Sequence, residues 1–244
     1  MCTMAAIRRG SFTILLKNLD LRKPVPTGWA AFEPFDGDHH HFAVINHGQL
    51  GVNSGLNERG LALQISQSGK PAPTPEREEL RTVLNAEVLA RSTTVEEGVE
   101  MLETYAHEHP AMLGGNVMLA DSQKISVTEY FGGEAQSEIL EGGVLVRANH
   151  SVFGLVDNKS EDSEKRYGEM VEFAKALYER LGDLAPEGAI NKCKVRLRTA
   201  PVLQETTRSS FVITTADRRV DHMVGEKPWE IFSFPEAVET TQYS

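Results

Sequence analysis

Apolar residues recur with a period of two near the start of the chain, which is the spacing of a half-buried β-strand. Phe12, Ile14 and Leu16 share one side of such a strand. The run that begins at residue 2 predicts an earlier strand, and the two segments together predict a hairpin. Such a hairpin returns the stretch 17–20 to the side of residue 2.

Further apolar runs bounded by Gly, Asn and Pro predict a series of antiparallel strands, since Gly and Asn accept the backbone conformations of tight turns. The predicted strands comprise residues 42–45, 51–54, 61–66, 115–121, 125–130, 144–148, 209–214 and 221–224, with a short one between Gly133 and Gly142. Pro and Gly in residues 23–40 predict an irregular loop, and residues 67–76 predict a crossover.

Apolar residues spaced three and four apart predict helices between and after these strands. The predicted helices lie around residues 80–89, 95–109, 163–181 and 189–197. Thr93 or Thr94 suits the N-cap of the second helix, with Glu96 and Glu97 in its first turn. Pro110 is expected to stop it.

The order strands, helices, strands, helix, strands indicates an α+β domain layered around an antiparallel sheet core. A chain of 244 residues is long enough for one large domain or two small ones. Because no break in composition divides it, we expect a single domain over residues 1–244.

Charge and hydropathy narrow the classes of function. A formal net charge of −10 opposes nucleic acid or an anionic membrane surface as the main partner, so a small molecule is favoured. No run reaches the roughly 18 apolar residues of a membrane span. The residues Arg8-Arg9-Gly10 interrupt the apolar stretch that a signal peptide requires. We therefore expect a cytoplasmic protein.

The cysteine and histidine positions argue against a metal site. Cys2 and Cys193 are the only cysteines, which excludes a disulfide framework, and no Cys/His spacing resembles a zinc site. Cys193 is interpreted as a small core residue. The triplet His39-His40-His41 converges poorly on one ion, because adjacent side chains of an extended segment point to opposite faces. We expect loop polarity or a single substrate contact there, and neither metal nor cofactor.

Cys2 is the strongest candidate for chemistry, since removal of Met1 leaves a thiol and a free α-amine on one residue. A thiol titrates near roughly 8.5 and an α-amine near roughly 7.7–8.0, so the neutral amine accepts the thiol proton close to neutral pH. This is the logic of a nucleophile activated by its own terminus. The alternative is a Met-Cys start without function.

Four further residues suit supporting roles. Asp20 suits the holding of an α-ammonium, and Lys17 suits lowering a thiol pKa or meeting an anion; the alternative is a solvated turn. Asn149 follows a buried strand and suits donation to an oxyanion, or else is a turn residue. Arg166 lies in the first turn of a helix, where a cation opposes the helix dipole, which points to another purpose.

Aromatic residues interleave with the breakers of the 23–40 loop. Trp29, Phe32 and Phe35 occupy this segment. Aromatic side chains bury large apolar areas. We therefore expect them to pack or to form an apolar wall of a pocket.

Several motifs, in this order, resemble the N-terminal nucleophile (Ntn) hydrolases, and within them the choloylglycine hydrolase and isopenicillin N acyltransferase-like group, which cleaves linear amides. The resemblance spans nearly the whole chain. Its motifs are Cys2-Thr3, Lys17-Asn18-Leu19-Asp20, the run 55–62, Gly115-Asn116 through Ala120-Asp121 with Glu129, Ala148-Asn149-His150, and Ser163 to Tyr167, followed by Thr207 to Ser210 and Gly225 to Pro228.

The resemblance implies a four-layer αββα fold with Cys2 as nucleophile and base. It also implies that Asp20 lies near the amine, that Asn149 donates to the oxyanion and that Asn57 lines the site. The group usually has Arg where this chain has Lys17, which cannot make a planar two-pronged contact. Arg166 falls in a helix that matches the group.

The same resemblance bears on processing and assembly. Many members of the group cleave themselves from a propeptide, whereas removal of Met1 is expected to expose Cys2 here. Members often assemble as dimers or tetramers, and a homodimer or homotetramer is the corresponding expectation.

Three hypotheses for function follow. In the first, Cys2 hydrolyses a linear amide of a small acylated amine or amino acid through a thioester. In the second, the same thioester passes its acyl group to an amine acceptor. In the third, the fold is kept by a protein that binds a small molecule without catalysis.

Overall fold

Two antiparallel β-sheets pack face to face at the centre of the fold, in a computed structural model that describes residues 2–21, 25–33, 38–48, 50–69 and 75–234. The strands are Cys2–Arg9 (β1), Phe12–Asp20 (β2), Thr27–Phe32 (β3), His41–Asn46 (β4), Ser54–Asn57 (β5), Ala62–Gln67 (β6), Gly115–Ala120 (β7), Ile125–Phe131 (β8), Glu134–Leu140 (β9), Gly143–Arg147 (β10), Thr207–Thr214 (β11), Arg219–Val224 (β12) and Glu230–Ser233 (β13). The helices are Pro75–Arg91 (α1), Val95–Glu108 (α2), Glu161–Arg180 (α3) and Pro186–Leu197 (α4).

The strand order places the start of the chain inside a sheet. One sheet has six strands in the order β10-β1-β2-β11-β12-β13, and the other has seven in the order β3-β4-β5-β6-β7-β8-β9. Strand β1 therefore pairs on both sides, with β2 and with β10. Strands β3 and β13 are edge strands of the two different sheets. Because Trp29 on β3 contacts Phe232 on β13, these two strands border the same side of the space between the sheets.

Alternation along β1 assigns each residue to one of two interfaces. Met4 and Ala6 are buried in the cluster between the two sheets. Ala5 and Ile7 are buried in the cluster that the six-stranded sheet forms with α3 and α4. Helices α1 and α2 pack on the outer face of the seven-stranded sheet. The layers are thus helix, sheet, sheet, helix, as the αββα prediction states.

Local sequence explains the helix boundaries well. Thr94 caps α2 by accepting a hydrogen bond from the backbone N–H of Glu97, whose carboxylate bonds back to the Thr94 backbone N–H. This is a capping box. Ser160 caps α3 in a similar way by accepting from the Ser163 N–H. The helix predicted over residues 163–181 and the predicted late hairpin β11–β12 are confirmed within a few residues.

The prediction of an irregular loop over residues 23–40 is wrong for its central part. Thr27–Phe32 forms β3, which pairs with β4 over its whole length. The prolines flank this strand instead of interrupting it, and an edge strand needs hydrogen bonds on one side only. The predicted strand 51–54 is also displaced, because β5 comprises Ser54–Asn57. Part of the predicted crossover, residues 70–74, lies outside the described residues.

No helix among the described residues is long and apolar enough to cross a membrane.

Truncation of Leu15 is expected to destabilise the interface between the sheets. Leu15 is completely buried there, and Leu15→Ala should lower the free energy of unfolding by about 2–5 kcal/mol through lost burial and the cavity left behind. Urea denaturation measures this change. Leu50→Ala is the matched control, since Leu50 is 62% exposed, and an equal loss in both variants would contradict the assignment.

Candidate active site

The β1–β2 hairpin brings Cys2 to the residues that the sequence placed beside it. Cys2 pairs with Leu19 and Met4 pairs with Lys17. Cys2 is 8% exposed and packs in a small apolar cluster with Leu19, Val44 and Phe211. The Cys2 side chain therefore lies at the start of the space between the two sheets.

Lys17 lies on the same face of the hairpin, fully buried between the sheets. Its ammonium donates hydrogen bonds to the Asn53 carbonyl at 3.2 Å and to Ser54 Oγ at 3.1 Å. It also lies 5.3 Å from the centre of the Phe211 ring. Burial lowers the pKa of Lys17 to about 8, and negative charge on Cys2 opposes this shift. Lys17 is thus a buried cation held by two neutral oxygen acceptors, on the same face of the hairpin as Cys2.

Asn149 contacts the backbone of Cys2. The Cys2 backbone nitrogen donates to Asn149 Oδ1 at 2.5 Å, and Asn149 Nδ2 donates to the Gln67 carbonyl at 3.0 Å. Arg166 Nη2 also donates to Oδ1, at 3.3 Å. The Cys2 nitrogen and Arg166 Nη2 are donors and the Gln67 carbonyl is an acceptor, so these three partners determine which atom of the Asn149 amide is the oxygen. In this arrangement the oxygen of Asn149 faces the backbone nitrogen of Cys2.

Arg166 joins α3 to the start of β1. Its side chain is completely buried, although it lies in the first turns of a helix. Nη1 donates to the Cys2 carbonyl at 2.9 Å and to Thr3 Oγ1 at 2.6 Å, and Nε and Nη2 donate to the Asp162 carboxylate. These contacts are the separate purpose that its position against the helix dipole suggested.

Asp20 lies on the opposite face of the hairpin from the Cys2 thiol. Its Oδ1 accepts a hydrogen bond from Thr207 Oγ1 at 2.5 Å. Burial raises the pKa of Asp20 to about 6, against the lowering effects of the Thr207 bond and of the charges on Arg166 and Lys17. Because neighbouring residues of a strand face opposite sides of a sheet, the Asp20 carboxyl group lies on the other side of the hairpin from the Cys2 sulfur.

Asn57 is engaged in a different part of the fold. Its Nδ2 donates to the carbonyls of Leu89 and Ser92, and its Oδ1 accepts from the N–H groups of Arg59 and Leu61. These four bonds use the full capacity of a side-chain amide. Asn57 therefore holds the end of α1 against the β5–β6 turn, and the geometry does not bring it to Cys2.

Trp29 and Phe32 lie on opposite faces of β3. Phe32 stacks on His41, with ring centres 4.8 Å apart, and packs on the cluster below α1 and α2. Trp29 faces the space between the sheets and contacts Phe232, with ring centres 3.9 Å apart. Only Trp29 of the two is a pocket residue, and Phe35 lies outside the described residues.

A narrow pocket begins beside Cys2 and continues between the sheets. Val44 and Phe211, which pack on Cys2, are part of its wall, and so is Ser54, which binds Lys17. Its lining is mainly apolar and comprises Trp29, Phe42, Ala43, Val44, Ser54, Gly55, Phe211, Ile213, Val220, His222 and Phe232. The pocket encloses about 10 Å³, room for about one water molecule.

The histidine triplet is dispersed among separate partners. His39 lies near Glu58 and Thr93, His40 lies near Glu33, and His41 stacks on Phe32. Among the described residues no group of three or more His, Cys, Asp or Glu side chains is suited to hold a metal ion.

The sequence did not indicate which residues hold Asn149 in position. Its backbone N–H donates to Ser163 Oγ at 2.9 Å and its carbonyl accepts from Asn158 Nδ2 at 3.0 Å. The preceding carbonyl, that of Ala148, accepts from Ser66 Oγ at 2.6 Å. Ser66 and Asn158 fall in no recognisable motif, so only a comparison of related sequences could have marked them.

A buried ion pair anchors the loop that follows Asn149. Arg147 Nε donates to Glu129 Oε1 at 2.7 Å, and the same carboxylate accepts from Ser151 Oγ and from the N–H groups of Val152 and Phe153. Glu129 is 1% exposed and Arg147 is 3% exposed. The resemblance included Glu129 in its pattern, and the structure assigns it this positioning role.

Substitution of Glu129 is expected to unfold or loosen this loop. Glu129→Gln leaves the Arg147 guanidinium buried without a counter-charge and should cost about 3–5 kcal/mol of stability. Guanidinium denaturation measures the loss, with Glu138→Gln on the exposed side of β9 as the control. Comparable stability in the two variants would show that the pair does not anchor the loop.

Asp20 predicts a particular dependence of stability on pH. Because the folded pKa is about 6 against 3.8 for the free group, this carboxyl favours folding at low pH, and its contribution is lost as pH rises from about 4 to about 6. In Asp20→Asn this loss is absent, so the variant should gain about 3 kcal/mol relative to the wild type across that window. Thermal melts at several pH values test this, with the exposed Glu103→Gln as control; parallel curves for Asp20→Asn and the wild type would refute it.

The fold is shared with solved amidases at low identity. Penicillin V acylase from Agrobacterium tumefaciens is 14% identical with a TM-score of 0.58, covering 95% of this chain and 84% of that chain. An N-acylethanolamine-hydrolyzing acid amidase ortholog from Caenorhabditis elegans is 14% identical with a TM-score of 0.60, covering 87% and 92%. A variant of conjugated bile acid hydrolase from Clostridium perfringens is 13% identical with a TM-score of 0.64, covering 95% and 92%.

These likenesses establish the fold, and together with a family-model match they confirm the predicted resemblance to Ntn hydrolases of the choloylglycine hydrolase-like group. A search of curated proteins finds no match. A family model described as acyl-coenzyme A:6-aminopenicillanic acid acyl-transferase matches residues 8–196. The match includes Lys17, Asp20, Asn149 and Arg166 and covers well over half of the sequence. The chain therefore belongs to the acyl-coenzyme A:6-aminopenicillanic acid acyl-transferase family.

Proposed function

We propose that this chain is an amidohydrolase that cleaves the linear amide bond of a small acylated amine, with Cys2 as an N-terminal nucleophile. The observation that carries the proposal is the position of Cys2. Its nitrogen is bound by Asn149, its carbonyl is bound by Arg166, and its side chain packs on Val44 and Phe211, which line an apolar pocket. Solved structures with this fold include a penicillin V acylase, an N-acylethanolamine-hydrolyzing acid amidase and a conjugated bile acid hydrolase, which supports the same class.

In the proposed reaction the neutral α-amine of Cys2 accepts the thiol proton as sulfur attacks the amide carbonyl. The C–S bond forms, the C–N bond breaks, and the α-ammonium returns its proton to the leaving nitrogen. Water then attacks the thioester while the amine takes a proton from it. The carboxylic acid leaves, and the thiol is restored.

Asn149 has two parts in this scheme. Its Oδ1 orients the α-amine, as the 2.5 Å contact with the Cys2 nitrogen indicates. Its Nδ2 carries two hydrogens, and among the described residues only the Gln67 carbonyl accepts from it. The second hydrogen is available to the oxyanion, where one donor typically contributes about 3 kcal/mol to rate acceleration.

The two cationic side chains of the site, Lys17 and Arg166, have different roles in this scheme. Arg166 holds the backbone of Cys2 in place through its bonds to the Cys2 carbonyl and Thr3. Lys17 approaches from the thiol face, and we propose that it stabilises negative charge on sulfur in place of the Arg that related chains usually carry. A compact ammonium is sufficient for that purpose, because the interaction needs no two-pronged geometry.

Acyl transfer to an amine is the second candidate, and the description of the matched family favours it. Both reactions share the thioester and differ in what attacks it. Product analysis with and without an added amine separates them: an amine that lowers the yield of carboxylic acid and forms a new amide would identify a transferase.

Loss of the Cys2 thiol is expected to abolish turnover. With para-nitroanilides of straight-chain acids as substrates, Cys2→Ala should lower kcat/KM by about 10⁴-fold or more, since the nucleophile is removed. Cys193→Ala is the matched control, because Cys193 is fully buried in the helix-facing core, and burial raises the pKa of its thiol. Its activity should stay near that of the wild type.

Mass spectrometry of the same samples adds an independent readout. Active protein should lack Met1, which lies outside the described residues, and quenched reactions should carry the acyl mass on Cys2. Retention of Met1 on every active molecule, or full turnover by Cys2→Ala, would eliminate the mechanism.

A further inference from the structure

His222 is a buried polar side chain on the wall of the pocket. It lies in β12, where it pairs with Phe211 on one side and Glu230 on the other. His222 and Val220 share one face of the strand, and both line the space between the sheets. The residue is 1% exposed.

Both ring nitrogens of His222 are unpaired within the described part of the chain. A buried polar atom without a partner typically costs about 1–3 kcal/mol. Native proteins therefore rarely leave such atoms unsatisfied unless a ligand or a water molecule completes them. Of the wall residues, Phe42, Phe211 and Phe232 present rings that offer the imidazole no conventional hydrogen-bonding group.

The charge state of the imidazole limits what it can bind. Burial lowers the pKa of His222 to about 4, although the Glu230 carboxylate opposes this shift. At neutral pH the ring is uncharged and carries one donor and one acceptor. A hydroxyl group can complement either nitrogen. A carboxylate is disfavoured by the neutral ring and by the nearby Glu230.

Sheet geometry gives the distance from the nucleophile. Cys2 lies in β1 and His222 lies in β12, with β2 and β11 between them. Three steps of about 4.8 Å separate the two strands by about 14 Å. Only an acyl chain long enough to cross this span can reach both residues.

The narrow pocket must widen to admit such a chain. Trp29 on edge strand β3 contacts Phe232 on edge strand β13, and Trp29 is 41% exposed. This contact joins side chains of two edge strands that are not paired with each other, so the proposal below places the widening there.

We propose that His222 determines specificity for acyl chains that carry a hydroxyl group far from the amide. The inference rests on the proposed function for its reaction, but its binding component can be measured without turnover. The hydroxyl hydrogen-bonds to the imidazole, while the rest of the chain occupies the apolar wall.

The test uses straight-chain para-nitroanilides from butanoyl to dodecanoyl, each with and without a terminal hydroxyl. For the long members, the wild type should favour the hydroxylated form by about tenfold in kcat/KM, as expected for one buried hydrogen bond. Short members should show no preference. His222→Phe should abolish the preference, and His222→Gln should keep part of it.

Two controls separate recognition from structure. Val220→Ala alters the same face of β12 without a polar change, so it should affect both members of each pair alike. Thermal unfolding of His222→Phe should occur at the wild-type temperature or above, since the variant removes two unsatisfied nitrogens. A much lower unfolding temperature would mean that the ring has a structural partner and would overturn the proposal.

Binding to Cys2→Ala, followed by Trp fluorescence, distinguishes the two possible failures. In one outcome, binding shows a hydroxyl preference that His222→Phe removes, but the wild type turns over no anilide. This outcome supports the role of His222 and refutes the proposed reaction. In the other outcome, the wild type turns over the anilides but prefers no hydroxylated form at any chain length. This outcome supports the reaction and refutes the role of His222, and it is expected if a trapped water satisfies the ring. If neither turnover nor a hydroxyl preference in binding is observed, both the proposed reaction and the role of His222 are refuted.

Discussion

The buried guanidinium of Arg166 is the interaction on which the candidate site depends. It joins helix α3 to the first two residues of β1 and to the oxygen of Asn149. A buried charge is tolerated only where its hydrogen-bonding groups are satisfied, and here Asp162 supplies the carboxylate. The arrangement therefore resists displacement, and the first residues of β1 are held at a defined position between two layers.

Polar and apolar surroundings meet at Cys2, and in the proposed reaction they have different roles. Towards α3 the backbone of Cys2 contacts Arg166 and Asn149, which in the proposed reaction orient the amine and stabilise developing charge. Between the sheets Cys2 packs on Val44 and Phe211, which in the proposed reaction keep water from the acyl group. Preorganised dipoles act most strongly where water is absent, so the two environments reinforce each other.

The sequence predicted the fold and much of the site because both depend on local signals. Period-two alternation located the β1–β2 hairpin, and pairing then placed Lys17 and Asp20 beside Cys2. The capping box at Thr94 and the apolar stripes located α2 and α3. Strand β3 was missed because its breakers suggested a loop, and Asn57 was placed in the site by resemblance although its amide bonds only to backbone groups.

By itself the residue pattern determined an α+β domain with an antiparallel sheet core, the candidate nucleophile and the residues that lie next to it, since alternation and short turns act between neighbours. The four-layer order was predicted from the family resemblance. The tertiary structure alone decided which face of each strand meets which partner. It separated Trp29 from Phe32, directed Asp20 away from the thiol, and brought Arg166 and His222 to the site from distant segments. Such contacts follow from the packing of layers, and no periodicity within a single segment encodes the side chains that an opposing layer presents.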